Sequence, residues 1–179
     1  MQDAAPGRTV FPADAIAARV AGIARAIEAD FEGKDLVLVC VLKGSLYFFA
    51  DLTRAIRIPI RLDFIAIGGF SPSEPASGAV RILKDLDIDI AGRHVLLVED
   101  IVRTGLTTAY LVQTLGTRRP ASVQVCSLLV NPSQLMINVP IAYQGFEVST
   151  RRLIGYGMDI GEHGRNLPDI SEVERPTAP

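Results

Sequence analysis

The chain has 179 residues, of which 49% are hydrophobic and 21% are charged, and its formal net charge is -2. These values are typical of one globular domain with an adequate core, so we predict a single domain over residues 1–179. The near-neutral charge argues against nucleic acid as a partner. The longest apolar run, 36–42, is too short to span a bilayer, and the first residues do not resemble a signal peptide. We therefore expect a cytoplasmic protein without a membrane partner.

Alternating helix and strand patterns occupy the first part of the chain. Apolar residues spaced by three and four over 12–31 predict an amphipathic helix. The continuous apolar run 36–42 predicts a strand buried on both faces, and a helix over 45–56 and a strand over 61–67 follow it. Strands that alternate with helices at this spacing predict an α/β fold with a doubly wound, mostly parallel sheet and flanking helices.

A long stretch without periodicity, 68–79, is dense in Gly, Pro and Ser. A disordered connection is one interpretation, but a loop of this length inside a compact domain is more often a mobile lid. Further strand patterns lie at 80–84, 121–130, 141–148 and 152–159. We expect an ordered core over 10–172 and a frayed, polar tail over 173–179.

The most informative stretch lies in the middle of the chain. Its apolar run 95–98 predicts a buried strand, and Glu99 and Asp100 stand where that strand should end, before a turn rich in Gly and Thr at 103–107 and a helix. Helix N-terminal amides bind phosphate, and carboxylates bind ribose hydroxyls or a cation, so this pattern predicts a site for a phosphorylated sugar. An ordinary buried strand and capped helix is the alternative, but two unpaired carboxylates beside a buried strand are costly without a function.

A second anion site is predicted where the strand 36–42 ends. Lys43 supplies a positive charge and Gly44 a close backbone approach, directly before the second helix. A solvated lysine in a tight turn is the alternative. Because the carboxyl ends of neighbouring parallel strands meet at one edge of a sheet, we expect Lys43 and Asp100 to open into one crevice.

A family resemblance accompanies these motifs. The segment Val98-Glu99-Asp100-Ile101-Val102-Arg103-Thr104-Gly105-Leu106-Thr107 resembles the phosphoribosyl-pyrophosphate (PRPP) loop of type I phosphoribosyltransferases, and most closely their hypoxanthine/guanine branch. The resemblance extends from about residue 41 to residue 170. It implies the fold of this family with a small hood carrying the base site, PRPP and a nucleobase as ligands, Mg²⁺ as cofactor, and a homodimer or homotetramer.

Three groups of residues make up the PRPP site that the resemblance implies. The pyrophosphate contacts are Lys43, Gly44 and Arg165. In the family, the loop that contains the Lys-Gly pair can carry a cis peptide bond. The residues that hold Mg²⁺, and through it the ribose hydroxyls and the pyrophosphate, are Glu99, Asp100 and Asp159. The cradle for the 5′-phosphate consists of Thr104, Gly105, Leu106 (through its backbone N–H) and Thr107.

The nucleobase half departs from the family's pattern. Arg103 stands where this branch has an aspartate that serves as the catalytic base, and an arginine cannot accept a proton. Asn131 stands where a lysine donates to the 6-oxo group of the purine. Arg152, next to Leu153 of the same base site, replaces a stacking aromatic ring, which a guanidinium plane can imitate. Gly69-Phe70 replaces the Ser-Tyr pair of the lid.

We predict an enzyme of purine salvage that transfers the 5-phosphoribosyl group from PRPP to hypoxanthine or guanine and releases pyrophosphate. With Arg103 and Arg152 near the base, an enzyme for a more acidic nucleobase is the first alternative. A non-catalytic PRPP or nucleotide sensor with the same fold is the second. His94 and His163 have no partner that indicates a catalytic dyad, so we expect both to be structural or solvated.

Overall fold

The computed structural model describes residues 6–68, 81–149 and 152–173. Nearly all of the predicted lid, with Gly69 and Phe70, lies outside the described residues, as does 174–179. The helices are α1 (Ala13–Phe31), α2 (Leu46–Ala55) and α3 (Leu106–Gly116). The strands are β1 (Pro6–Phe11), β2 (Leu36–Leu42), β3 (Arg61–Gly68), β4 (Arg81–Lys84), β5 (His94–Val102), β6 (Ser122–Val130), β7 (Ile141–Glu147), β8 (Leu153–Ile154) and β9 (Ile170–Val173).

A six-stranded sheet forms the centre of the molecule, in the order β4-β3-β2-β5-β6-β7. Its neighbouring pairs are parallel except for β3 and β4, which run antiparallel. Helices α1 and α2 pack on one face and α3 on the other, which confirms the predicted doubly wound α/β fold. β2 and β5 are neighbours, with Cys40 opposite Val98, so their carboxyl ends meet at one edge of the sheet as predicted.

The strand β2 shows how this sheet is buried on both faces. Its even-numbered residues from Leu36 to Cys40 pack in the core under α1 and α2, and its odd-numbered residues from Val37 to Val41 pack in the core under α3. Successive side chains of a strand point to opposite faces, so a strand covered by helices on both sides is apolar throughout. This is why an uninterrupted apolar run marks the strand.

The central strand is longer than its apolar run indicates. β5 contains Glu99 and Asp100, whereas the sequence pattern places both after the strand's end. The reason is uneven pairing: β5 pairs with β6 as far as Val102 but with β2 only as far as Val98. Beyond Val98, β5 therefore continues as a strand while its edge on the β2 side is open.

A second, three-stranded antiparallel sheet has the order β1-β9-β8. The sequence pattern predicts neither β1 nor β9. β1 begins at Pro6, ahead of the expected start of the core at residue 10, and β9 ends at Val173, the first residue of the expected tail. The two pair with each other, Pro6 opposite Val173, and local periodicity does not reveal so long-range a contact. Among the helices described, none is both long and apolar enough to cross a membrane.

Candidate active site

Glu99 is almost fully buried at the open edge of β5. It is 6% exposed, and within the described part of the chain its Oε1 atom has no hydrogen-bond partner. Burial raises the pKa of this carboxyl group to about 8, although a hydrogen bond with the Thr108 hydroxyl acts in the opposite direction. A buried carboxylate oxygen without a protein partner is a suitable ligand for a hydroxyl group or a cation.

Asp100 is held by the loop that follows β2. Its backbone N–H donates to the Ser45 hydroxyl over 3.0 Å, because the pairing with β2 has already ended and leaves this donor available. The Asp100 carboxylate lies against Gly44, where an added Cβ would overlap it. Burial raises the pKa of Asp100, while backbone hydrogen bonds and the positive charges of Arg103 and Arg165 lower it. The ends of β2 and β5 therefore meet in one crevice, which Gly44 and Asp100 line; Lys43, expected beside Asp100, is not among the lining residues.

Gly157 adds a third segment to this arrangement. A Cβ on Gly157 would overlap the carbonyl oxygen of Gly44, and the Gly157 φ of 102° lies in the left-handed range that favours glycine. The peptide bond between Leu42 and Lys43, immediately before Gly44, is cis. Backbone thus packs directly against backbone where the segments after β2 and β8 meet, so Gly157 cannot gain a side chain without displacing Gly44, and Gly44 cannot gain one without displacing the Asp100 carboxylate.

The turn between β5 and α3 presents backbone N–H groups to the same crevice. Gly105 has a φ of 78°, and a Cβ there would lie 2.6 Å from the Ile137 carbonyl oxygen. The first N–H groups of an α-helix lack intrahelical partners, and in α3 they begin with Leu106. The Leu106 N–H donates to the Thr104 hydroxyl over a long 3.4 Å. The helix N-terminus and its amides suit a phosphate group.

The crevice has a volume of about 350 Å³. The predicted site residues that line it are Gly44, Glu99, Asp100, Arg103, Thr104, Gly105 and Thr107. Across ranges 6–68, 81–149 and 152–173, no group of three or more His, Cys, Asp or Glu side chains converges as a metal site. Mg²⁺ usually binds through one or two carboxylates together with substrate phosphates, and the acidic pair, with its unpartnered oxygen, fits that mode.

A cluster of charged side chains lies in the segment after β8. Arg165 pairs with Asp159 over 2.8 Å and donates to the Gly157 carbonyl oxygen, also over 2.8 Å. The Glu162 Oε2 atom lies 3.1 Å from Lys43 Nζ and 3.4 Å from Arg165 Nη2. Glu162 therefore bridges the two cations predicted for pyrophosphate. Sequence reasoning missed it, although its place between Asp159 and Arg165 in one short turn is a usable signal.

Among the described residues, the lining of the crevice includes Arg103 but not Asn131, Arg152 or Leu153, the other residues predicted for the base. Arg103 lines the crevice, and Arg152 is exposed beside residues outside the described ranges. Asn131 is fully buried, and its side-chain oxygen accepts a 2.7 Å hydrogen bond from the Ser133 hydroxyl. Leu153 is 2% exposed and its side chain belongs to the core, so contact with a base would have to use its backbone.

The two histidines lie away from the lining of the crevice. The ring of His94 hydrogen-bonds through Nδ1 to the Ser122 hydroxyl over 2.8 Å, at the amino ends of β5 and β6. His163 is exposed in the turn that also carries Glu162. His94 is therefore structural and His163 is solvated, as expected from the sequence.

Parallel strands end here in a crevice with an acidic pair, helix N-terminal amides and nearby cations, which is the architecture of α/β proteins that bind phosphorylated ligands. Residues 8–160 match the phosphoribosyl transferase domain family. The chain belongs to this phosphoribosyltransferase family.

Named relatives and a solved crystal structure support the assignment of the chain to this family. The chain is 44% identical over 168 residues to the hypoxanthine-guanine phosphoribosyltransferase of Mycobacterium tuberculosis strain H37Rv, covering 90% of this chain and 83% of the relative. It is 38% identical over 166 residues to the hypoxanthine phosphoribosyltransferase of Escherichia coli K12, covering 92% and 93%. A crystal structure of a hypoxanthine-guanine phosphoribosyltransferase from Bacillus anthracis superposes with a TM-score of 0.89 at 35% identity, covering 95% of this chain and 100% of that one.

Proposed function

We propose that the chain is a purine-salvage enzyme that transfers the 5-phosphoribosyl group from PRPP to hypoxanthine or guanine and releases pyrophosphate. The similarity to hypoxanthine(-guanine) phosphoribosyltransferases over at least 90% of the chain supports the reaction. The observation that carries the proposal is the crevice itself, where the unpartnered, buried Glu99 carboxylate and the N-terminus of α3 face one space.

Each part of PRPP has a chemically matched region in this proposal. The 5′-phosphate binds at the N-terminus of α3, in the cradle of Thr104, Gly105, Leu106 and Thr107. The ribose hydroxyls bind near Glu99 and Asp100. The pyrophosphate binds between the loop of Lys43 and Gly44 and the guanidinium of Arg165, which approach each other closely enough to share Glu162.

Mg²⁺ fits this site on the chemistry of its donors. Glu99 and Asp100 would hold it at the ribose, and Asp159 at the pyrophosphate, each with an oxygen ligand of the kind that Mg²⁺ prefers. When bound, the ion would neutralise negative charge on the pyrophosphate leaving group. Glu99 would then exchange its proton for a cation, which is consistent with a carboxyl group whose pKa is raised by burial.

The contribution of the chain to the reaction is mainly alignment. In the transfer, the bond between C1 of the ribose and the pyrophosphate oxygen breaks as a purine nitrogen forms a bond to C1. Anion sites at both ends of PRPP hold C1 in place for this attack. Arg103 cannot accept the proton that the purine loses, so the proton passes to solvent, or the base arrives already deprotonated.

An enzyme for a more acidic nucleobase is the second candidate. Arg103 lines the crevice and supplies positive charge beside Asp100, and Arg152 is exposed, so an anionic ring would find two cationic side chains.

We further propose one domain over residues 1–179, the lid over 68–79, a cytoplasmic location and a homodimer or homotetramer. Light scattering on the purified chain tests the oligomeric state.

The decisive assay is pyrophosphate release from PRPP and Mg²⁺ across a panel of purines and pyrimidines. The proposal predicts release with hypoxanthine and guanine. Release only with a more acidic base would favour the second candidate. Binding of PRPP without release for any base would identify a sensor and contradict the enzyme.

A further inference from the structure

Glu162 occupies the space between two cations of the proposed pyrophosphate site. One atom, Oε2, makes both ion pairs, at 3.1 Å from Lys43 Nζ and 3.4 Å from Arg165 Nη2. Its backbone N–H donates to the Asp159 carboxylate over 2.8 Å, which orients the turn. Its φ of 68° is unusual for a residue with a side chain, so this placement is not that of an ordinary surface glutamate.

The two cations respond differently to the loss of this contact. Arg165 retains its ion pair with Asp159 and its bond to the Gly157 carbonyl oxygen when Glu162 is absent. Among the residues that the structure describes, Lys43 forms an ion pair with Glu162 alone, and its side chain is 68% exposed. A ligand anion and the Glu162 carboxylate therefore compete directly for the lysine ammonium group, and less directly for the guanidinium.

We propose that Glu162 is an internal counter-ion of the pyrophosphate site: it pairs with Lys43 and Arg165 in the ligand-free protein, withdraws when PRPP binds, and returns as pyrophosphate leaves. This inference rests on the proposed function, because that function gives the two cations to pyrophosphate. Two anions held on the same cation repel each other, so the more highly charged pyrophosphate displaces the carboxylate.

The geometry keeps the free-energy cost of this exchange small. The Glu162 side chain is 64% exposed, so rotation into solvent exposes little buried surface and leaves the carboxylate hydrated. Exposed ion pairs are individually weak. Glu162 therefore lowers the affinity for PRPP and pyrophosphate without blocking them, and it replaces the departing product on cations that would otherwise hold it.

The test compares Glu162→Gln with the natural chain by calorimetry. Each protein is titrated with PRPP plus Mg²⁺, with pyrophosphate plus Mg²⁺, and with GMP, which has a 5′-phosphate and a ribose but no pyrophosphate. Removing the competing charge should tighten PRPP and pyrophosphate binding by roughly two- to fivefold, as expected for an exposed ion pair, and leave GMP unchanged. Glu162→Gly is the second variant, because it removes the carboxylate at a positive φ that glycine accepts.

Glu32→Gln is the matched control. Glu32 follows α1 and precedes β2, at the opposite edge of the sheet from the crevice, so the substitution changes the net charge equally without touching the site. Its affinities should equal those of the natural chain. Unchanged or weaker PRPP and pyrophosphate binding in both Glu162 variants would overturn the inference, even if the natural chain is an active transferase. A natural chain that binds neither PRPP nor pyrophosphate would instead overturn the proposed function, and the inference with it.

Discussion

The two halves of the proposed site are built in different ways. On the PRPP side, Gly44, Asp100 and Gly157 are packed so closely that an added Cβ on either glycine would overlap the neighbouring segment. On the base side, Arg103 and Arg152 are exposed side chains.

Because of this difference, the two halves should differ in how well they tolerate substitutions. A site made from backbone contacts and buried carboxylates depends on the fold, because moving one segment moves its neighbours. Exposed side chains change more freely, since surface substitutions away from buried features have small effects on stability. The PRPP half retains its family pattern, while the base half departs from it at the exposed Arg103 and Arg152 and at the buried Asn131. We expect substitutions on the PRPP side to have the larger effects.

The largest effect is expected when both carboxylates of the PRPP side are neutralised. Glu99→Gln combined with Asp100→Asn keeps the shape of both side chains but removes their charges. Hydrogen bonds to charged groups contribute about 1.5–3 kcal/mol each, so PRPP affinity in the presence of Mg²⁺ should fall roughly 100-fold or more. Calorimetry measures this directly. His163→Ala, an exposed change in a neighbouring turn, should leave the affinity unaltered.

Gly157→Ala should disrupt the backbone packing between the segments that follow β2 and β8 on the PRPP side. The new Cβ would overlap the Gly44 carbonyl oxygen at a φ of 102°, so the free energy of unfolding should fall by about 2–4 kcal/mol. Urea denaturation gives the value. Gly116→Ala is the control, because no heavy atom lies within 4 Å of a Cβ there. Equal stability of the two variants would show that the close contact is not a constraint.

Glu99→Gln alone should change the pH dependence of stability in the ligand-free and metal-free protein. Burial raises the pKa of Glu99 from 4.5 to about 8, so between these pH values the folded state keeps a proton that the unfolded state releases. The free energy of unfolding should therefore fall as pH rises through this window, with a slope of at most about 1.4 kcal/mol per pH unit.

Denaturation curves at pH 5 and pH 8 measure this dependence. Glu99→Gln should reduce the slope, because glutamine carries no titrating group while Asp100, whose pKa is also raised, still contributes. The variant should be more stable than the natural chain at pH 8. Glu32→Gln, an exposed change at the opposite edge of the sheet, should retain the natural dependence. Parallel pH curves for the natural chain and Glu99→Gln would rule out a raised Glu99 pKa.

Local patterns account for much of the fold. The run 36–42 coincides with β2, because a strand buried on both faces leaves a continuous apolar signal. The pairing of β1 with β9 escapes prediction, since its two strands lie at opposite ends of the chain. β5 extends past its apolar run because β6 continues to pair with it. The sequence of β5 alone does not indicate this pairing.

The same distinction between local patterns and long-range contacts applies to the site. Motif residues such as Glu99 and Gly105 are recognisable because their chemistry and spacing are local. The roles of Ser45 and Gly157 depend on contacts between distant segments, so they appear only in three dimensions. Asn131, for which the motif position predicts base contact, is buried, and its side-chain oxygen accepts a hydrogen bond from Ser133.

The smallest effect is expected for Arg103→Asp on the base side. A carboxylate there can accept the purine proton, a role that typically contributes 10²–10⁴-fold. The gain in turnover with hypoxanthine should stay below about tenfold. The substitution removes the positive charge of Arg103 and places a second carboxylate near Asp100. Arg103→Asn is the matched control, since it removes the arginine charge without adding a base.

Steady-state assays with hypoxanthine and with the best substrate of the panel distinguish the alternatives. A gain for Arg103→Asp over Arg103→Asn supports the 6-oxopurine enzyme. A clear loss on the best substrate would mean that Arg103 recognises an anionic base. Turnover absent from all three proteins would indicate the sensor.

A crystal structure of the chain with PRPP and Mg²⁺ tests the central claim most directly. Our account predicts the 5′-phosphate at the N-terminus of α3, the ribose beside Glu99 and Asp100, and the pyrophosphate on Lys43 and Arg165. PRPP bound outside this crevice, or with its pyrophosphate away from both cations, would contradict the account.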